Sequence, residues 1–338
     1  MFRECAELDR TSVAKQIQDA KMKVLHSIQE LQEIEGPTHL AIGVFDGVHL
    51  GHQAVIRQAV EAARISGGSA AVLTFHPHPV RVLRPNDAPR SLTSTQHKQQ
   101  FVERLGIDAF LIQEFSLAFA RTKPEDFIRQ LVQSSNQLKT ICVGEGWSFG
   151  ANRSGTVSLV RTLAESYHFR LQDIAPLAVD GQIVSSTRIR EAVEQGDFSL
   201  AERLLGRPFT ILGTVVEGNH LGRKLGYPTA NLRAHNEQFP PDGVYAVMAF
   251  QHGTEYGGVA NIGFRPTIQE RGGERLLEVY LFDFNREIYG DDVEVRFLKY
   301  LRPERKFENL SDLQAQIMKD AESAGVICRS MPLAAPQT

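Results

Sequence analysis

Two histidines three residues apart, His49 and His52, stand in the glycine-rich stretch 43–52, GVFDGVHLGH. An apolar run at 40–42 precedes it and apolar residues with helical spacing follow it, so we expect a turn between a buried strand and a helix. The N–H groups and dipole at a helix start favour an anion, glycines let a phosphate come close, and imidazoles can donate to phosphoryl oxygens. The turn therefore predicts a nucleotide-phosphate site. Its expected catalytic groups are His49 and His52, and its expected ATP-binding residues are Phe45, Asp46, Gly47 and Gly51.

A second group of phosphate-binding residues lies in the stretch 184–190, VSSTRIR, at a junction between a loop and a helix. Capping of the helix by Ser186 or Thr187 is by itself a complete structural explanation. Hydroxyls and two arginines at a helix start also suit a polyphosphate. Because the histidine turn belongs to the same predicted domain, we expect this stretch to bind the triphosphate of ATP through Ser186, Thr187, Arg188 and Arg190.

Two further loops at strand ends carry rings that suit a substrate pocket. The stretch 74–79, TFHPHP, has two histidines but no evident third metal ligand, so we interpret it as a wall of the pocket. In 143–150, VGEGWSFG, Trp147 and Phe149 can stack on a flat ligand ring, or they can pin the loop to the core. The sequence leaves both interpretations open.

The C-terminal half contains a glycine-rich loop of its own, in the stretch 213–231. Its glycines and two cations favour an anion, and the expected ATP-binding residues are Gly218, Gly222, Arg223 and Lys224. Thr229 and Asn231 follow two residues apart, on one side of an extended segment. A hydroxyl and an amide oxygen suit Mg²⁺, which completes its coordination with water and phosphate oxygens, so we expect these two residues to hold the metal.

Glu278 is the best candidate for a general base. It lies in LLEVYLF, residues 276–282, where its neighbours are apolar or aromatic. A carboxylate in such surroundings is costly unless it is used or paired. The alternative is a buried glutamate paired with an arginine such as Arg265 or Arg296.

Alternating strand and helix patterns in the N-terminal half predict a parallel sheet covered by helices. The expected strands are 39–43, 69–75, 107–112, 140–143 and 169–174, and the expected helices are 52–65, 95–105, 124–134 and 157–166. In such sheets ligands bind beyond the carboxyl ends of the strands, where the histidine turn falls.

The pattern changes after two short helices expected at 187–195 and 198–205. Closely spaced strands expected at 209–217, 244–250, 257–262, 276–283 and 292–298 are separated by turn residues, which predicts a small barrel or sandwich. One helix follows, and we expect Ser311 to cap it and Gly325 to end it.

The length, net charge and cysteine spacing of the whole chain limit the class of protein. It has 338 residues, a net charge of −3 and three widely spaced cysteines. This length favours two domains, and the slight acidic excess argues against a broad grip on nucleic acid. The chain has neither a disulfide framework nor an apolar run of the roughly 20 residues that span a bilayer. We expect a cytoplasmic protein without membrane or nucleic-acid partners.

The motifs GVFDGVHLGH, TFHPHP, SSTRIR, LLGRP, LGRKLGYPTAN, NIGFRPT, LEVYLFDF and IYG occur in this order. Together they resemble the prokaryotic bifunctional riboflavin kinase/FAD synthetase family, from about residue 22 to residue 324. The resemblance implies a Rossmann-like HxGH nucleotidyltransferase domain and a small antiparallel β-barrel with a C-terminal helix. The expected boundaries are an extension at 1–21, the adenylyltransferase domain at 22–190, a helical linker at 191–206, the kinase barrel at 207–328 and a tail at 329–338.

The resemblance implies two reactions. The barrel would phosphorylate riboflavin to FMN with Mg²⁺ and ATP, with Glu278 accepting the proton of the 5′-hydroxyl. The N-terminal domain would join FMN to AMP from a second ATP, giving FAD and pyrophosphate. The expected flavin-binding residues are Trp147, Phe149, Asn261 and Arg265. The expected partners are these small molecules, and any homo-oligomer is expected to be weak.

Some positions depart from the family pattern. Gly146 stands where Asp or Asn is usual, Ser148 where Arg is frequent, and Tyr280 where His is frequent. A missing carboxylate at 146 would weaken metal or FMN placement in the adenylyl site. The alternative function is therefore a riboflavin kinase with an impaired adenylyltransferase domain.

Overall fold

The computed structural model describes residues 22–218, 222, 225–264 and 275–331. The chain divides into two compact units, one with residues up to Pro89 and Lys98–Ala178, the other with Arg90–His97 and residues from Val179 onward. The segment Arg90–His97 belongs to the second unit, where the Ser91 carbonyl accepts the backbone N–H groups of Glu237 and Gln238. No pattern in the sequence indicated that this segment belongs to the second unit, and the expected domain boundaries stay predictions.

The first unit is built on a six-stranded sheet in which all neighbours are parallel. Its strands are β1 (Lys23–Leu25), β2 (Thr38–Ile42), β3 (Ser69–His76), β4 (Ala109–Glu114), β5 (Leu138–Gly144) and β6 (Arg170–Ile174), in the order β1-β4-β3-β2-β5-β6. The five expected strands are present within a few residues. The edge strand β1 was missed because three residues are too short to show a period.

Helices cover both faces of this sheet. The helices in this part of the chain are α1 (Leu50–Ser66), α2 (Pro79–Leu83), α3 (Thr95–Glu103), α4 (Pro124–Ser134) and α5 (Val157–Tyr167), and all but the short α2, which buries no residue, pack on the sheet. Within β2, Leu40 packs in the buried cluster that includes Ile128 of α4, whereas the next residue, Ala41, packs in the cluster that includes Ile56 of α1. All five residues of β2 are buried, as expected for a strand with protein on both sides.

The order of the strands contains a topological switch point. From β2 the chain proceeds to β3 and β4 on one side, and then returns to place β5 on the other side of β2. Ligands of open parallel sheets bind in the crevice beyond the carboxyl ends of the two strands at such a point. The histidine turn follows β2 and the 143–150 loop begins at the end of β5, so both loops border this crevice.

The second unit contains α6 (Ser186–Glu194), α7 (Phe198–Leu205) and a closed barrel. The barrel strands are β7 (Thr210–Val216), β8 (Thr229–Ala234), β9 (Gly243–Gln251), β10 (Thr254–Phe264), β11 (Arg275–Leu281) and β12 (Asp292–Arg302). They close in the order β7-β8-β11-β10-β9-β12 with antiparallel neighbours. The list of expected strands omitted β8, although Thr229 and Asn231 were expected in an extended segment.

The last helix, α8 (Leu310–Ser330), corrects two expectations. Its cap is Asn309, whose side chain accepts the backbone N–H of Asp312 at 2.9 Å, so capping by Ser311 is wrong. Gly325 is a buried residue inside the helix and does not end it. Among the described residues, no helix is long and apolar enough to cross a membrane.

Candidate functional sites

The histidine turn folds into two stacked imidazoles at the start of α1. His49 is the N-cap residue, and its Nδ1 accepts the backbone N–H of His52 at 3.3 Å. This bond assigns the proton of neutral His49 to Nε2. The rings of His49 and His52 lie 3.5 Å apart with 18° between their planes. A Cβ at Gly51 would lie 3.2 Å from the His49 ring, so glycine at this position preserves the stack.

The backbone of this turn is strained at two buried residues, Phe45 with a φ of 51° and Val48 with a φ of 41°. Such conformations cost roughly 1–3 kcal/mol each and persist where the surrounding structure enforces them. The Phe45 ring meets the His52 ring edge-on at 5.3 Å. It occupies space that a Cβ at Gly43 would enter, at 2.9 Å from ring carbons. The turn is therefore a packed unit that fixes the direction of His52.

Burial governs the ionisation of this site. It holds the pKa of His52 well below its ordinary value, with smaller contributions from His49 and Lys98. His52 is therefore neutral at pH 7 and can donate one ring proton. Its Nδ1 atom is buried and has no hydrogen-bond partner among the described residues. Asp46 and His49 are also buried.

The loop after β5 brings Trp147 and Phe149 together in a stack with centroids 4.1 Å apart and 12° between planes. Phe149 is buried in the core and also contacts Phe127 of α4, whereas Trp147 is half-buried. This geometry favours loop pinning for Phe149 and leaves Trp147 as the candidate for stacking on a ligand. Gly146 lies between β5 and this pair with a φ of 78°.

The Ser186–Arg190 stretch belongs to the second unit, and its cap is Ser185. The Ser185 side chain accepts the backbone N–H of Arg188 at 3.3 Å, so capping by Ser186 or Thr187 is wrong. The Arg188 guanidinium donates to the carbonyls of Val179 and Gln182, and Arg190 donates through Nε to the carbonyl of Arg90. Both arginines therefore brace the local backbone. Their expected contact with a triphosphate stays a prediction.

In the barrel, three polar residues lie side by side on adjacent strands. Asn231 of β8 pairs with Glu278 of β11, and Glu278 pairs with Asn261 of β10. Directly paired residues project from the same face of a sheet, so the three side chains share one face. Leu277 and Val279, which flank Glu278, are buried, whereas Glu278 is only half-buried. The row therefore lies on the outer face of the barrel.

This placement refines the expectation for Glu278, whose role as a base stays a prediction. Leu277 and Val279 project into the barrel, whereas Leu276 and Tyr280 lie on the same face of the strand as the carboxylate. Arg296, one of the two arginines considered as a partner, lies in β12, which is not adjacent to β11. Arg265, Arg223 and Lys224 lie outside the described residues.

A compact glycine–asparagine contact lies beside this row. A Cβ at Gly218 would overlap the Asn231 side chain, with the Asn231 Cγ 2.5 Å away. A Cβ at Gly222 would lie 3.2 Å from the Thr229 hydroxyl oxygen. Asn231 is 7% exposed, and its Oδ1 is buried without a hydrogen-bond partner among the described residues. An unsatisfied amide oxygen is the kind of donor that Mg²⁺ takes, so these residues fit the expected metal.

The barrel also has a cavity of about 480 Å³ that the sequence analysis did not anticipate. Residues 284–289, which follow β11, form one side of it. The other side consists of side chains from three strands, namely Val215, Thr229, Ala230, Val279 and Leu281. Thr229 therefore lies both in the cavity wall and against Gly222. The IYG motif that starts at Ile288 was a signal that could have pointed to this cavity.

Known proteins share both halves of this architecture. Residues 31–188 match the FAD synthetase family, and residues 205–328 match the riboflavin kinase family. The described fold and site thus combine a nucleotidyltransferase-type sheet with a riboflavin kinase barrel in one chain.

Relatives with the same two parts cover nearly the whole chain. The bifunctional riboflavin kinase/FMN adenylyltransferase of Haemophilus influenzae is 38% identical over 304 residues, which are 90% of this chain and 98% of the relative. The protein of the same name from Bacillus subtilis is 38% identical over 306 residues, covering 89% and 96%. This chain belongs to the bifunctional riboflavin kinase/FMN adenylyltransferase family.

A solved structure from Streptococcus pneumoniae, described as a macrolide-efflux protein, is 30% identical with a TM-score of 0.75. It covers 92% of this chain and 99% of its own. An experimentally solved structure therefore has the same architecture.

Proposed function

We propose that the barrel phosphorylates riboflavin to FMN and that the histidine turn adenylylates FMN to FAD with release of pyrophosphate. Both steps are displacements at phosphorus, in which positioning and charge neutralisation provide most of the catalysis. Neither step requires a nucleophile from the protein.

The kinase assignment is carried by the row Asn231–Glu278–Asn261. Glu278, half-buried and on the outer face, accepts the proton of the riboflavin 5′-hydroxyl as that oxygen attacks the γ-phosphate of ATP and ADP leaves. Asn261 and Arg265 contact the flavin. The adjacent cavity, with the aromatic ring of Phe284 and the apolar side chains of Val279 and Leu281, suits the base of ATP.

The loop beside the row holds the phosphates of ATP through Gly218, Gly222, Arg223 and Lys224. Gly218 and Gly222 leave room next to Asn231 and Thr229, which are the residues that would hold Mg²⁺. When bound, this ion neutralises charge on the phosphates. Its fit is supported by the unsatisfied Oδ1 of Asn231.

The adenylyltransferase assignment is carried by the stacked pair at the start of α1. His49 and the neutral His52 donate hydrogen bonds to the α-phosphate as the phosphate of FMN attacks it and pyrophosphate leaves. The N-terminus of the 17-residue helix adds its dipole. The ATP phosphates contact Phe45, Asp46, Gly47 and Gly51, and the expected triphosphate contacts at Ser186, Thr187, Arg188 and Arg190 are retained as part of the proposal. Trp147 and Phe149 complete the flavin side, with Trp147 as the accessible ring.

The test is a time course by liquid chromatography of riboflavin with Mg²⁺ and ATP. FMN should form first and FAD should follow, and a chelator should stop both steps. Full turnover in excess chelator would contradict the metal assignment. Formation of FMN without FAD would favour the alternative, a riboflavin kinase with an impaired adenylyltransferase domain, for which Gly146 is the motivating residue. A cytoplasmic location and at most weak self-association complete the proposal.

A further inference from the structure

Lys98 of α3 is buried although it is a charged residue. Its side chain is 6% exposed, and its ammonium donates to the Val44 carbonyl at 2.6 Å and to the Thr74 hydroxyl at 3.2 Å. Thr74, which is fully buried, donates its own hydroxyl proton to the same carbonyl at 2.9 Å. A buried ammonium is costly unless hydrogen bonds and nearby charges compensate it. Here the two hydrogen bonds provide that compensation, and they fix the ammonium against the Val44 carbonyl.

The bonds from Lys98 and Thr74 converge on the peptide group that precedes the strained part of the histidine turn. This group joins Val44 to Phe45, whose φ is 51°. A rotation of the peptide would change this φ and displace the Phe45 ring, which packs over Gly43 and contacts His52 edge-on. A continuous chain of contacts therefore runs from the Lys98 ammonium to the His52 ring.

Lys98 also interacts electrostatically with the turn. Asp46 acts on the ammonium as an opposite charge, and the ammonium in turn acts on His52 as a like charge when that ring is protonated. The proposed reaction places a highly charged polyphosphate at this turn. A fixed positive charge behind the backbone favours such a ligand without contacting it.

We propose that Lys98 is a positioning residue for adenylyl transfer: by holding the Val44 carbonyl, it keeps Phe45 in its left-handed conformation and thereby sets the orientation of His52. The inference rests on the proposed adenylyltransferase function of the histidine turn. Neither the sequence motifs nor the family matches assign this role to Lys98.

The first experiment measures FAD formation from FMN and ATP by the full chain. Lys98→Met keeps an unbranched side chain and removes the ammonium, and kcat should fall about 10–100-fold, as expected for a catalytic group displaced by about 1 Å. KM for ATP should change less. Thr74→Val should lower kcat in the same direction but by less, whereas Thr74→Ser, which keeps the hydroxyl, should retain the wild-type rate. Riboflavin phosphorylation by the same preparations should be unchanged, which reports that the barrel is folded, and an unchanged circular dichroism spectrum reports that the first unit is folded as well.

The second experiment reads the orientation of His52 without using activity. In nuclear magnetic resonance spectra of the histidine rings, the His52 signals, assigned by their loss in His52→Gln, should move in Lys98→Met. Lys139→Met is the matched control, because Lys139 is exposed and acts on His39. This variant should move the His39 signals and leave those of His52 in place.

Folded Lys98→Met protein with wild-type kcat, or with unmoved His52 signals, overturns the inference. Absence of FAD formation by the wild-type chain would instead overturn the proposed adenylyltransferase function. The ring signals of His52 would still decide whether Lys98 positions this residue.

Discussion

The histidine turn and the row Asn231–Glu278–Asn261 of the barrel are both proposed to act in displacements at phosphorus, but they are built in opposite ways. The turn takes its groups from ten consecutive residues, of which five are buried and two have strained conformations. The row takes one residue from each of three strands that are distant in sequence, and its central carboxylate is half-buried. One site is fixed by local packing, and the other is fixed by strand register.

This difference predicts different vulnerabilities. In the turn, neighbouring groups support each other, so a change at one position should disturb several. In the row, the strands supply the alignment, so a side chain can be altered while its neighbours stay in place. Measuring both activities of the same chain separates the two constructions.

The largest expected effect is at Glu278. Removing the general base in Glu278→Gln should lower riboflavin phosphorylation by roughly 10²–10⁴-fold, the usual contribution of such a group. FAD formation from supplied FMN should stay at the wild-type level, and so should riboflavin affinity measured by calorimetry. Wild-type phosphorylation by this variant would remove Glu278 from the mechanism.

His52 should give the corresponding loss in the other site. His52→Gln removes a donor to the α-phosphate, and FAD formation should fall about 10²–10³-fold, as when one oxyanion donor is lost. Riboflavin phosphorylation serves as the control and should not change. Equal loss of both activities would mean that the variant has misfolded or that the sites are not independent.

A change at Gly218 tests whether the barrel site depends on close contact as the turn does. In Gly218→Ala the new Cβ would overlap the Asn231 side chain, and riboflavin phosphorylation should fall roughly 10-fold or more, consistent with a displacement of about 1 Å. Gly253→Ala is the matched control, since Gly253 has a φ of 75° and an added Cβ there meets nothing within 4 Å. The control should lower thermal stability but keep the kinase kinetics. A Gly218 variant that behaves like the control would exclude this contact from the site.

The pH dependence of FAD formation should report on Lys98, the buried cation beside the histidine turn. Burial lowers the pKa of Lys98 to about 8, with Asp46 acting in the opposite direction. His52 also interacts with this group, but the pKa of His52 lies well below its ordinary value, so that residue stays neutral in the alkaline range. As the pH rises through the pKa of Lys98, the folded protein loses this positive charge, and kcat/KM for FAD formation should fall. The Lys98→Met variant should be slower but should lack this fall, and its persistence would assign the titration to another group.

The smallest expected effect concerns the loop after β5. Gly146 has a left-handed φ, which Asn tolerates, and an added Cβ meets nothing within 4 Å. Gly146→Asn should therefore fold normally and raise FAD formation about fivefold at most, the worth of one hydrogen bond of roughly 1 kcal/mol. A high wild-type rate that the substitution leaves unchanged would argue against an impaired adenylyl site.

The comparison also explains what the sequence could predict. The histidine turn was predictable because strand, glycines, imidazoles and helix are contiguous, so that spacing alone implies the geometry. Glu278 and Asn231 were recognised as candidates from their residue types, but their alignment was not, because strand register depends on contacts between distant segments. The surroundings of Glu278 were predicted only in part: alternate residues of a strand face opposite sides, so Leu277 and Val279 turn away from the carboxylate, whereas Leu276 and Tyr280 share its face.

Helix ends were predicted to within a few residues, whereas their caps were often assigned to the wrong side chain. Ser185 and Asn309 cap α6 and α8, and each lies one or two residues before the predicted cap. Several residues near each helix start can accept the same N–H groups, and only backbone conformation selects one. The cavity beside residues 284–289 was missed because its wall combines a loop with three strands.

Because the segment Arg90–His97 belongs to the second unit, the two activities cannot be separated by a single cut in the gene. A gene truncated anywhere between the two family matches would deliver a kinase fragment without Ser91 and Leu92. Ser91 binds the Glu237 carboxylate through its amide and hydroxyl, and the Leu92 carbonyl accepts a hydrogen bond from the Asn236 amide. Such a fragment would expose the Glu237 carboxylate and the Asn236 amide beside β8. Adding residues 90–97 as a separate peptide should restore their hydrogen bonds.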